Sequence, residues 1–95
     1  MKSKQIFEEF EILSKKLGLI IIKGKGDFKG GICRINNKNV IVVNNLKPLE
    51  HRLKVLAISF LEYDLDGVYI VPYLRAFIEQ FRHLDIKINQ QSIKK

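Results

Sequence analysis

The sequence has no tryptophan, one cysteine, two prolines and two histidines among its 95 residues. Each scarcity excludes something. A single cysteine, Cys33, permits no internal disulfide and no multi-cysteine zinc site. Such a chain suits a reducing compartment. Residues 47–51, KPLEH, echo an H-x-x-E-H metal motif, but Lys47 stands where the first His should be. Asp64-x-Asp66-Gly67 lacks the third acid and the distal Glu of a calcium loop and reads as a turn. No apolar run approaches the ~20 residues of a membrane span. The opening MKSKQIFEEFE turns acidic where a signal peptide needs an apolar core. The expectation is a cytoplasmic protein with no membrane partner, no metal and no cofactor.

Acids are also scarce. Ten face seventeen basic residues, giving a formal charge of +7 and a pI near 9.7. The excess is local. From Lys15 to Lys54 there are ten basic residues and only two acids, Asp27 and Glu50. A field of this kind bears on partners rather than on fold. The apolar share of 46 % and charged share of 28 % are ordinary for a globular chain. The length predicts a single domain over residues 1–89 with a flexible tail at 90–95.

Ile6, Phe10, Leu13 and Leu17, with Phe7 beside them, carry the period of an amphipathic helix over 4–17. Ser3 is its expected N-cap, and Gly18 its stop. LIIIK (19–23) has no polar alternation and predicts a strand covered on both faces. GICRIN (31–36) and NVIVVN (39–44) predict a hairpin turning at Asn37-Lys38. A second helix opens with Pro48 at its first position, and Leu49, Leu53, Leu56, Ala57, Phe60 and Leu61 form its stripe. VYIV (68–71) predicts a short extended piece. Pro72 starts a third helix with Tyr73, Leu74, Phe77, Ile78 and Phe81 inward. HLDIKI predicts a weak edge strand. The fold class expected is α+β, a three-stranded antiparallel meander packed against three helices in the order α-β-β-β-α-α.

The segment KGKGDFKGGICRI (23–35) is the candidate site. Glycines let backbone N–H groups approach an anion, and lysines add charge. It is neither a P-loop nor G-x-G-x-x-G, because no helix follows it. Its plainer reading is a connection that needs positive φ, with Phe28 as a plug into the core. Lys25, Asp27, Phe28, Lys29, Gly30, Gly31 and Arg34 are the expected binding residues. Asp27 is expected to pair with Arg34 or to cap the loop. Cys33 reads as a buried structural cysteine, since Arg34 points to the opposite face of the strand.

GDFKGGICR, followed by IVVN and by IVPYLRAFIE, resembles a family of small bacterial proteins of unknown function that share a G-D-F-x-G-G-x-C-R core. The likeness covers nearly the whole chain and brings no activity. It implies that Asp27, Phe28, Gly30, Gly31, Cys33 and Arg34 form a focal site. The layout also resembles zinc-dependent metallopeptidases of the phage-repressor-cleaving type. Ile41-Val42-Val43-Asn44 and the helix from Pro48 occupy places comparable to that family's I-x-x-N strand and metal-bearing helix. Its H-E-x-x-H slots fall on Ala57, Ile58 and Leu61, which neither bind zinc nor move a proton. That resemblance implies a zincin-like minidomain without catalysis.

The function expected is a non-catalytic binding or adaptor domain whose basic loop and hairpin contact an acidic protein or nucleic acid. The alternatives are a small enzyme with a Cys33, Arg34 and Asp27 pocket, and a self-associating subunit, such as a homodimer, that hides Tyr63, Tyr69 and Tyr73.

Overall fold

The structure is a computed structural model and describes residues 2–82. HLDIKI, the boundary at residue 89 and the tail at 90–95 lie outside the described residues. The elements run α1 (Ser3–Leu17), β1 (Ile20–Gly24), β2 (Gly30–Ile35), β3 (Lys38–Asn44), α2 (Leu49–Phe60) and α3 (Pro72–Glu79). This is the α+β class.

Local chemistry fixes the ends. Helix α1 begins at Ser3, so Lys2 and not the expected Ser3 is its N-cap, and the Gln5 side chain accepts from the Lys2 N–H. At its other end Gly18 adopts φ 70°, so the Gly18 and Leu19 N–H groups return to Lys15 and Ser14. That pair is the Schellman closure, which favours glycine at the left-handed position. Pro48 stands just before α2, its carbonyl accepting the first helical bond from Arg52, while Pro72 occupies the first turn of α3. The hairpin turns on Asn36-Asn37, with φ 50° and 65°, one residue earlier than expected. A two-residue turn of this hand requires positive φ at both positions, which asparagine tolerates and Lys38 does not favour. Asp64 Oδ1 accepts from the Asp66 N–H, closing the DLDG turn. VYIV forms no strand.

The sheet corrects the expected meander. Its order is β1-β3-β2, with β3 parallel to β1 and antiparallel to β2. The sheet is therefore mixed. The physical reason lies in β3, whose Val40, Ile41, Val42 and Val43 make it the strand best suited to neighbours on both sides. Strands next to each other in sequence are usually neighbours in space, but not always. Here the glycine-bearing and charged strands take the edges.

Phe7, Phe10, Leu13, Ile41, Val43, Leu53, Leu56, Ala57, Phe60, Leu74 and Ile78 form the core. Phe10 stacks on Phe60, with ring centroids 5.3 Å apart, which ties α1 to α2. Tyr63, Tyr73, Phe77 and Phe81 pack against that core half-buried, whereas Tyr69 is exposed beneath the Lys16 ammonium. Ile41 and Val43 supply the sheet's buried side chains in that core, so the helices cover one face of the sheet. The expectation that β1 is covered on both faces is wrong: Ile20 and Ile22 are exposed.

Candidate binding surface

The position of β3 dictates what the glycine loop does. The chain leaves β1, crosses the end of β3 and enters β2, a span of two strand spacings or roughly 10 Å. Residues 25–29 form that bridge. Asn44, the last residue of β3, holds it from below and is only 1 % exposed. Its Nδ2 donates to the carbonyls of Gly26 (2.8 Å) and Phe28 (2.6 Å), and its Oδ1 accepts from the Leu46 N–H (3.0 Å). The Asn45 N–H donates to the Gly24 carbonyl at 2.7 Å. Only an amide supplies both donors and an acceptor in this place.

Phe28 does not plug the core. Its ring folds back over the loop, where a Cβ on Gly24 or Gly26 would stand 3.2 or 3.1 Å from ring carbons. Gly30 has φ 99°, and a Cβ there would meet the Val42 carbonyl oxygen at 2.6 Å. So the loop needs positive φ where it enters β2.

Lys25, Asp27 and Lys29 are exposed on the bridge, and Phe28 is half-buried. Gly30 and Gly31 open β2. Cys33 is exposed, not buried. The expected buried cysteine fails because β2 is an edge strand and, among the described residues, no helix lies over the sheet face it shares. Arg34 is exposed on the opposite face, as alternation requires. Among the described residues neither Asp27 nor Arg34 makes a side-chain hydrogen bond or ion pair, so Asp27 neither pairs with Arg34 nor caps the loop. Asn44 performs the capping. His51 meets the loop rather than Cys33, its Nε2 lying 3.4 Å from the Lys29 carbonyl oxygen. Asp27, Cys33, Arg34 and His51 thus form no hydrogen-bonded constellation.

The register brings together a surface that sequence reasoning missed. Ile20, Val40 and Cys33 stand in one row across the sheet, Ile22, Val42 and Gly31 in the next, and Ile35 beside Lys38 in a third. Paired positions point to the same face. Ile20, Ile22 and Ile35 are 43 %, 38 % and 46 % exposed, whereas Val40 between them is buried and Val42 half-buried. Among the described residues no helix covers these rows. Phe28, Gly31, Cys33 and Val42 border a shallow depression at one end. Ile20, Ile22, Ile35, Lys38 and Val40 border another at the hairpin end. The apolar run at 20–22 hinted at this face, but its uncovered side depended on strand order.

Cations near this region divide into two sets. Lys23 pairs with Glu11 at 3.6 Å and sits over the Phe7 ring. Arg52 donates to the Lys47 carbonyl and to Asn45 Oδ1. The side chains of Lys25, Lys29, Arg34, Lys38 and Lys54 have no hydrogen-bond or ion-pair partner among the described residues. All five lie before, on or after β2, or on the helix beside it.

The slots aligned with a zincin metal motif carry packing residues. Ala57 is in the core, and Leu61 packs against it. Among the described residues no three His, Cys, Asp or Glu side chains cluster to hold a metal. No helix there is long and apolar enough to cross a membrane. Comparison of the chain with protein families, curated proteins and solved structures finds no match.

Proposed function

We propose that this domain is a non-catalytic binding or adaptor module, and that its open sheet face, glycine loop and β2–β3 hairpin contact an acidic protein. The observation that carries the reading is the contiguous apolar face of Ile20, Ile22, Val42, Cys33 and Ile35, bordered by unpaired lysines. Scattered exposed aliphatics need no explanation, whereas rows of them on one sheet face mark a contact surface. A protein partner buries such rows and meets the lysines with acids at the rim. Nucleic acid is the poorer fit. It favours a polar, cationic surface with stacking aromatics, and only Phe28 is placed to stack. Self-association is opposed by charge, since a face-to-face dimer brings Lys25, Lys29 and Lys38 of both copies to one rim.

The test is fluorescence anisotropy with two labelled probes at low and near-physiological salt. One probe is a peptide rich in Glu and aliphatic residues; the other is a set of single- and double-stranded oligonucleotides. The peptide is expected to bind and to retain affinity at the higher salt, because part of the contact is apolar. Charge reversal at Lys29 (Lys29→Glu) should weaken it about tenfold. Oligonucleotide binding that falls steeply with salt, without peptide binding, makes the surface a phosphate site instead. Light scattering that shows a stable dimer contradicts the adaptor reading in favour of self-association.

A further inference from the structure

Strand β2 is an edge. Among the described residues it pairs with β3 alone, and on its other side alternate N–H and C=O groups find no partner there. Such a row is a template for another strand. Natural sheets commonly blunt it with a covering helix, a bulge, a proline or charged side chains; β2 has no bulge or proline, and its charges, Arg34 and the adjoining Lys29, are ones that an acidic strand would meet. Between the start of β2 and α2 lies a groove of ≈ 360 Å³, lined by Lys29, Gly30, His51, Lys54, Val55 and Ile58. Gly30 contributes no side chain to it, so the backbone of β2 is open to the groove.

We infer that this groove and the free edge of β2 receive an extended acidic segment of a partner protein, which adds to the sheet as a fourth strand. The inference rests on the acidic-protein reading above and specifies how the partner binds. Its side chains alternate between two surfaces. One set lies beside Cys33 and Ile35 and extends the apolar face. The other enters the groove over Val55 and Ile58. Lys29 and Lys54 stand at the end where β2 begins, and Arg34 stands near the end where it finishes.

Charge selects both the edge and the occupant. Among the described residues the groove beside β2 is lined by no acid. The depression near β1 sets Glu8 and Glu11 among Lys4, Lys23 and Arg52, and Lys23 there is already paired with Glu11. An acidic strand is therefore attracted more strongly to β2 than to β1. A second copy of this chain is disfavoured at β2, because a two-fold β2–β2 pair sets the Lys29 and Arg34 side chains of each copy among those of the other.

The experiment uses the full chain and a labelled peptide that alternates Glu with Val or Ile. Two further peptides carry backbone N-methyl groups, one on every odd residue and the other on every even residue. In a strand these positions direct their N–H groups to opposite edges. Pairing at β2 predicts that one methylated peptide loses at least about tenfold in affinity while the other keeps most of it. Amide hydrogen exchange of the protein should slow at outward-facing β2 residues only when the unmethylated peptide is bound. Equal binding of all three peptides overturns strand addition and leaves the acidic-protein reading standing. No binding by the unmethylated peptide overturns strand addition, and oligonucleotide binding in its place removes the broader reading too. Protection of outward-facing β2 amides before peptide is added also overturns it, because the edge is then already paired.

Discussion

Asn44 sits where three backbone demands meet: two carbonyls of the bridge above it and one N–H of the turn after it. Replacing it with Ala leaves all three groups in a part-buried space without a partner. Asn44→Ala should cost about 3 kcal/mol in urea denaturation, since each orphaned group costs on the order of 1 kcal/mol or more. Asn44→Asp should be worse at neutral pH. The introduced carboxylate faces two carbonyl oxygens and is desolvated, so its folded pKa rises above the unfolded value of about 3.9. The penalty then grows as pH rises from the unfolded pKa to the folded one, and it shrinks on acidification. A variant no less stable at pH 7 than the parent would show that the bridge does not depend on this amide. In the sequence Asn44 stood out as the end of an apolar strand and as the Asn of an I-x-x-N pattern, not as a capping residue. Its burial and its partners, 16 and 18 residues upstream, are set by strand order.

At the scale of elements, the helices and the hairpin were legible because their signals are local. Gly18, Pro72, the spacing of Phe10, Leu13, Leu53 and Phe60, and the asparagine turn act within a few residues. The order of the strands was not legible. Nothing in residues 19–44 says locally that β3 inserts between β1 and β2; that choice is made by non-local burial of Val40, Ile41 and Val43. The exposure of Cys33, Ile20 and Ile22 follows from it. The same topology makes the entry to β2 tight. Gly30→Ala should destabilise the protein by about 3 kcal/mol, because the new methyl group meets the Val42 carbonyl and φ is 99°. Gly31→Ala, at φ 142° in open space, should cost only about 1 kcal/mol. Thermal unfolding of the two variants side by side checks the contrast. Equal effects would mean that the approach of β2 to β3 is looser than the geometry requires.

Across the whole molecule, the charge of +7 is an average over two environments. On the α1 side, acids such as Glu8 and Glu11 stand among the lysines. Around β2, Lys25, Lys29, Arg34, Lys38 and Lys54 face solvent without partners among the described residues. Sequence reasoning located the excess in the middle segment, and the fold gathers most of its unpaired cations, though not Lys15 and Lys47, around one strand. The candidate residues Lys25, Phe28, Lys29, Gly30, Gly31 and Arg34 belong to that region. The aliphatic rows and the groove beside α2 join them only in three dimensions. The central claim is that one side of this molecule, the open sheet face with the β2 edge, is its contact surface. A map of backbone amide chemical-shift changes on adding the acidic, aliphatic-rich peptide tests it most directly. The account predicts changes confined to the bridge, to β2, to the start of β3 and to the Lys54–Ile58 flank of α2. Changes centred on α1 and α3, with β2 silent, would contradict it.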